Sequence, residues 1–209
     1  MKIALINPPR SPYNGILSHA DGQAAKFIHR KLIGPPLGLL TLAAALKENH
    51  DVDLLEMKGE YDLIPDSPPP EKMVRDFLDY ARPQLVGVTF IASEFPAGMH
   101  IFRLVKEYDP NIITVAGGLH ATLCPEHFSD PCVDIVSAGP GARALREIVE
   151  SIETGTGIDH IGGILINNNG SLVRTRVPEP VLDPAGSDFV MPDRSLLSRW
   201  LSTYIVGKS

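Results

Sequence analysis

Apolar residues fall along this chain in short continuous runs that alternate with stretches of helical spacing. Lys2–Asn7 (KIALIN) is such a run, stopped by Pro8-Pro9, and predicts a first strand. Asp51–Glu56 (DVDLLE), Leu85–Ile91 (LVGVTFI), Ile112–Ala116 and Val133–Ser137 predict four more. Between them, Leu37–Lys47 (LGLLTLAAALK) is rich in good helix formers and apolar on most faces, so it predicts a helix packed hard on a sheet. Val74, Phe77, Leu78 and Ala81 share one face of a second helix. It follows the proline-rich connection Pro65–Pro70, where Asp66 or Ser67 can cap it, and runs to about Arg82. Ile101, Leu104, Val105 and Tyr108 mark a third that starts near Pro96, and Leu145, Ile148, Val149 and Ile152 a fourth over Ala142–Glu153. Pro125–Phe128 predicts a brief helical turn.

Strands alternating with helices imply a parallel sheet covered on both faces and joined by right-handed crossovers. The predicted fold class is therefore α/β, a Rossmann-like (flavodoxin-like) doubly wound sheet of five parallel strands. Ile161–Asn167 and Ser171–Val177, joined by Asn168-Asn169-Gly170, add a C-terminal β-hairpin. Residues 1–177 form the domain. Residues 178–209 are a linker, proline-rich and acidic at first, then a short helix carrying Leu196, Leu197, Trp200 and Leu201. One connection is unusual: about 30 residues separate the first strand from the first helix, where 2–6 is ordinary. It carries Tyr13, Asn14, His19, Asp21, Gly22 and His29, and a functional role is expected for it.

In such sheets, ligands bind beyond the C-terminal strand ends, where the strand order reverses. The turns there, after Asn7, Ile91, Ala116 and Ser137, are built from small residues, Gly, Ser, Pro, Ala or Asn. The centre of the pattern is Ile112–Leu123 (IITVAGGLHATL), a buried strand ended by Gly117-Gly118, which lets something large approach the backbone. A floor of small residues suits a bulky or flat ligand better than a catalytic triad.

Composition narrows the partners. The chain has 209 residues, 44% hydrophobic and 21% charged, with a net charge of −6. Its longest basic cluster is His29-Arg30-Lys31, which argues against nucleic acid. No apolar run reaches transmembrane length, so no membrane partner is expected. Two cysteines make no disulfide framework, and a reducing cytoplasm is the expected setting.

Several chemistries fail on the residues. Gly139-Pro140-Gly141-Ala142-Arg143-Ala144 fits G-x-G-x-x-A, but it follows the fifth strand and Pro140 removes a donor, so it reads as a tight turn. His120, Cys124, His127 and Cys132 are all zinc-ligand types, yet their spacing matches no standard finger, and buried cysteines with surface histidines are the expected reading. The third strand ends Phe90-Ile91-Ala92, with no phospho-acceptor aspartate, and Asn7-Pro8-Pro9-Arg10 is no flavodoxin phosphate loop. There is no G-x-S-x-G elbow. No catalytic residue is assigned.

Taken in order, Ile6-Asn7-Pro8-Pro9, Pro35-Pro36-Leu37-Gly38-Leu39-Leu40, Val86-Gly87-Val88-Thr89, Val115–Thr122 (VAGGLHAT) and Val133-Asp134-Ile135-Val136 with Gly139 and Gly141 resemble the N-terminal cobalamin-binding domain of B12-dependent radical SAM enzymes. The resemblance covers about residues 2–177. It implies cobalamin as the cofactor, with contacts from Asn7, Pro8, Pro9, Ser93, Glu94, Phe95, Gly117, Gly118, His120, Ala121, Gly139 and Gly141. It also implies a radical SAM domain in cis, with S-adenosylmethionine and a 4Fe–4S cluster, and methyl transfer or other radical chemistry in the full-length protein.

The chain departs from the family at two places. Pro140 and Ala142 stand where the family's G-E-G-E turn carries acids, and no D-x-H-x-x-G follows the first strand. His19 and His29 are therefore not expected to ligate cobalt. Cys124 and Cys132 cannot form the C-x3-C-x2-C motif that holds a 4Fe–4S cluster. The chain is thus expected to be an N-terminal fragment of an enzyme, not catalytic alone. The alternative is a stand-alone corrinoid carrier or sensor, or an interaction module.

Overall fold

A computed structural model describes residues 1–10, 34–63, 67–177 and 190–197. The long connection with Tyr13, Asn14, His19, Asp21, Gly22 and His29 lies outside the described residues, as do Asp66, residues 178–189, Trp200 and Leu201. The strands are β1 (Lys2–Asn7), β2 (Asp51–Glu56), β3 (Leu85–Thr89), β4 (Ile113–Gly117), β5 (Ile135–Ser137), β6 (Ile164–Asn168) and β7 (Ser171–Arg174). The helices are α1 (Leu37–Leu46), α2 (Met57–Leu63), α3 (Pro70–Ala81), α4 (Phe95–Tyr108), α5 (Leu119–Leu123) and α6 (Gly141–Thr154).

All seven strands form one sheet in the order β2-β1-β3-β4-β5-β6-β7. The first five are parallel, as the alternating pattern predicts. The predicted hairpin is present, and it does more than append: β6 pairs antiparallel with β5 and so extends the sheet. Its turn is made by Asn169 (φ 53°) and Gly170 (φ 90°), the two left-handed residues that a type I′ hairpin requires. The order reverses between β1 and β3, because the chain leaves β1 for one edge and returns to its other side.

Alternation along the strands divides the core into two layers. Ala4, Ile6, Val86, Val88, Ala116 and Val136 point to one face, where α3 and α4 pack. Ile3, Leu5, Leu85, Val115 and Ile135 point to the other, where α1 and α6 pack. Phe90 is fully buried on the first face and packs edge-on against Phe128, with ring centroids 4.9 Å apart. On the outer side of β4, Asp134 Oδ2 accepts hydrogen bonds from Lys106 Nζ (2.7 Å) and the Thr114 amide (2.7 Å), tying α4 to the β4–β5 connection.

Three local features depart from the pattern. The helix α2 follows β2 directly; it has no apolar period, and Glu56 Oε1 at its start accepts the Gly59 amide at 2.9 Å. The helix α3 begins at Pro70 without a side-chain cap, while Ser67 Oγ donates instead to the Glu60 carbonyl (3.2 Å). The helix α1 buries only Leu39, Leu40, Ala43 and Leu46. Leu197, in a 3-10 turn at Arg194–Leu197, packs on Leu40, and Lys47 pairs with Asp193 at 2.6 Å. Part of the apolar excess of α1 is thus covered by the chain that follows the domain.

Candidate functional site

A cavity of about 170 Å³ opens at the C-terminal edge of the sheet, on the face covered by α1 and α6. It begins at the β1/β3 reversal and extends to β5. Its floor is two rows set by the strand register. Leu5, Gly87 and Val115 are mutually paired in one row, and Thr89 is paired with Gly117 in the next. The walls are Leu39 and Leu42 from α1 and Leu145 from α6, and Gly38, Ser137, Gly139 and Gly141 border it. The lining is apolar apart from two hydroxyl residues, Thr89 and Ser137.

The glycines are there for different reasons. A Cβ on Gly117 would meet no atom within 4 Å. Nothing among the described residues therefore fills the space over Gly117, and a side chain there would occupy the cavity itself. Gly38 is equally open. Gly118, by contrast, has φ +93°, and its Cβ would lie 2.8 Å from both the N and O of Phe90. That glycine is required by the turn, because the Phe90 amide donates to the Gly117 carbonyl (2.9 Å) and the Phe90 carbonyl accepts from His120 N (3.0 Å). Gly139 has φ +133°, a conformation other residues avoid, and also faces open space.

Ser137 is the hydroxyl of the lining that is buried without a partner among the described residues. It is buried at the end of β5, and its Oγ makes no hydrogen bond among the described residues. A buried hydroxyl left unpaired costs about 1–3 kcal/mol, which a polar ligand atom would recover. The first turn of α6 begins beside it at Gly141, with Pro140 before it and no side-chain cap.

Of the residues singled out in the sequence, Gly117, Gly118, Gly139 and Gly141 line this cavity. The others lie around it or away from it. Asn7 is buried and donates to Glu56 Oε1 and Oε2. Pro8 and Pro9 are buried beyond it. Ser93 is exposed in the 3-10 turn Ala92–Glu94 and caps no helix. Glu94 is buried and ion-paired with Lys58. Phe95 is half-buried and packs on His120, centroids 5.0 Å apart. Ala121 lies in the core of the opposite face. Gly38, Leu42, Gly87, Thr89 and Ser137 also line it and are not among the contacts that the resemblance implies. The detectable signal was Gly87, a glycine inside the apolar run of β3, which marks close approach to a strand.

The cysteines also separate. Cys132 is buried and hydrogen-bonded to Asp130; burial chiefly, and then Asp130, push its thiol up to about 12. The same bond, with the backbone bond from Cys132 and the nearby Arg103, holds the Asp130 carboxyl down at about 2. Cys124 stands apart, half-buried after α5.

A family model described as "B12 binding domain" matches residues 26–149, which include most of the cavity lining. The chain belongs to the B12-binding domain family. The resemblance read in its sequence holds across its relatives. An uncharacterized methyltransferase of Pyrococcus horikoshii is 31% identical over 151 residues, covering 71% of this chain and 31% of that protein. The anaerobic magnesium-protoporphyrin IX monomethyl ester cyclase of Rubrivivax gelatinosus is 25% identical, covering 78% of this chain and 29% of that protein. Among solved structures, the radical S-adenosylmethionine methyltransferase TsrM of Kitasatospora setae, with cobalamin and a [4Fe-4S] cluster bound, superposes with a TM-score of 0.64. That match has 19% identity and covers 93% of this chain and 31% of TsrM. The chain thus spans about a third of the length of these relatives. In this B12-binding domain, no helix among the described residues is long and apolar enough to cross a membrane.

Proposed function

We propose that the cavity takes the nucleotide tail of cobalamin. The observation that carries this is the space over Gly117, left open beside the unpartnered hydroxyl of Ser137. At about 170 Å³ the cavity is well under the roughly 300–1,000 Å³ of a pocket that encloses a whole drug-sized ligand, so it admits a flat part of a larger molecule. Leu5, Leu42, Val115 and Leu145 supply apolar surface for an aromatic base. Ser137 donates to a polar atom of the tail, and the α6 N-terminus faces its phosphate. Gly117, Gly118, Gly139 and Gly141 keep the backbone low enough for entry; Asn7, Glu94 and the prolines shape the adjoining strand ends rather than touch the tail. Bound cobalamin supplies a cobalt centre able to carry a methyl group.

The domain serves a longer protein that carries a radical SAM domain in cis, with S-adenosylmethionine and a 4Fe–4S cluster, and that transfers a methyl group or runs related radical chemistry. The names of the relatives support this, and the two unpaired cysteines suit a cytoplasmic protein. Reading the coding sequence beyond Ser209 tests it: a C-x3-C-x2-C run supports the enzyme, and a stop codon supports a carrier. Binding is tested by mixing the chain with hydroxocobalamin and desalting. Corrin absorbance in the protein fraction is expected, and its loss in Gly117→Leu with the fold intact. A parent chain that emerges colourless refutes the assignment.

A further inference from the structure

The proposed cofactor cavity leaves one convergent group of side chains unused. His120 is the second residue of α5, Cys124 caps its C-terminal end four residues later, and His127 lies in the 3-10 turn Pro125–Phe128. The backbone fixes this geometry: Cys124 N donates to the His120 carbonyl (2.9 Å) and His127 N to the Cys124 carbonyl (3.2 Å). One imidazole nitrogen of each histidine and the Cys124 sulfur all lie within 4.8 Å of one another. His127 Nδ1 and His120 Nε2 are 3.1 Å apart, and among the described residues neither imidazole has another hydrogen-bond partner. Phe95 and Phe128 back His120, with ring centroids 5.0 and 5.8 Å away, so one side of the group is apolar and the other faces solvent.

We infer that His120, Cys124 and His127 bind a zinc-class divalent ion. Two imidazoles and one thiolate are the donor set that borderline-soft ions take, and three protein ligands leave the fourth tetrahedral position for water or another ligand. Around such an ion the ligand atoms stand about 3.3–3.8 Å apart, so the group closes with side-chain rotations of about 1 Å. Coordination replaces the S–H bond of Cys124 with an S–metal bond and releases one proton to solvent. The apolar backing limits water on one side, and the exposed His127 leaves a path for the ion on the other. The site is distinct from the cavity, but α5 reaches the cavity rim: Thr122 Oγ1, in the same short helix, accepts the Gly139 amide there (3.1 Å). A bound ion therefore fixes the helix whose Thr122 holds the Gly139 turn at the rim of the cofactor site. Cys132 does not take part, since it is buried and bonded to Asp130.

The test uses the tag-free, corrinoid-free chain, reduced and stripped with chelator, titrated with Co²⁺ under anaerobic conditions. The expected result is saturation at one Co²⁺ per chain with a thiolate-to-cobalt charge-transfer band, displaced by Zn²⁺. Cys124→Ser loses the band and Cys132→Ser keeps it. His120→Ala and His127→Ala each weaken Zn²⁺ binding by more than the roughly 10–100-fold that loss of an outer-shell partner costs. Since the variants could disturb α5, a second readout uses the parent chain alone: Zn²⁺ protects Cys124 from alkylation, measured by peptide mass spectrometry. Absence of the band, its survival in Cys124→Ser, or alkylation unaffected by Zn²⁺ overturns the site.

Discussion

Asn7 and Glu56, opposite each other in the β1–β2 register, are joined through one amide: Asn7 Nδ2 donates to Glu56 Oε1 at 2.9 Å and to Oε2 at 2.8 Å. The Gly59 amide donates to the same carboxylate, so the end of β2 and the start of α2 are fixed to the end of β1. An asparagine at the C-terminal edge of a central strand looks available for a ligand. Its side-chain N–H groups are already committed to holding two strand ends together.

Burial, the largest influence, raises the Glu56 carboxyl above its ordinary value of 4.5, against the pull of the Asn7 and Gly59 hydrogen bonds and of Lys58. The folded chain then keeps this proton to higher pH than the unfolded chain does. Its contribution to stability is full below 4.5 and is lost as pH rises through the folded value. Urea unfolding of the parent and of Glu56→Gln at a series of pH values checks this. The parent is expected to lose stability relative to the variant as pH rises from 4.5, and a difference that stays flat contradicts it.

Gly117 and Gly118 predict opposite outcomes. Gly118→Ala places a Cβ against the Phe90 backbone in a left-handed conformation and is expected to destabilise the chain by about 1–3 kcal/mol or more. Gly117→Val meets open space and is expected to change stability little, yet to abolish retention of hydroxocobalamin on desalting. Thermal unfolding and corrin absorbance, measured on both variants, separate the two roles. Equal retention by Gly117→Val and the parent would remove the basis for the cavity assignment.

The parallel sheet was legible because β1, β3, β4 and β5 are buried runs, and their burial depends only on neighbours of one chemical type. The Asn169-Gly170 turn was legible because its left-handed pair is a local requirement. What the hairpin pairs with is not local, and nothing in Ile164–Asn168 says that its partner is β5. The same holds for the site. Gly117 stood out because a glycine pair ends its own strand. Leu42, Thr89 and Ser137 are unremarkable in their own segments and become neighbours only when three strand ends and two helices meet. Glu94 and Asn7 show the converse: they lie near strand ends, and only the fold reveals that Glu94 is ion-paired with Lys58 and that Asn7 is hydrogen-bonded to Glu56.

Gly98 lies in α4 directly under the Phe90 ring, and a Cβ there would stand 2.7 Å from Phe90 Cζ. Alanine is the better helix former by about 1 kcal/mol. The ring has nowhere to go, since Phe102 and Phe128 flank it at centroid distances of 5.6 and 4.9 Å. Gly98→Ala is therefore expected to destabilise by about 1–3 kcal/mol despite its propensity. Phe90→Leu in the same background should cost less than Phe90→Leu alone, because the smaller side chain relieves the overlap. Additive losses in a double-mutant cycle would show that the two positions do not compete for space.

Ser137 separates stability from binding most sharply. Its Oγ is buried at the cavity edge with no partner among the described residues, so the chain without ligand carries the cost of desolvating a hydroxyl. Ser137→Ala removes that cost while leaving the Cβ and the β5 backbone in place. The variant is expected to be as stable as the parent or more so, by up to about 1 kcal/mol in urea. If Ser137 donates to the nucleotide tail, the same change weakens hydroxocobalamin binding by about fivefold, since one net hydrogen bond is worth roughly 1 kcal/mol. A residue kept only for packing would move both measurements the same way: the variant would lose stability, and any loss of cofactor would follow from it. Opposite movement, higher stability with weaker binding, is the signature of a hydroxyl held in reserve for a ligand.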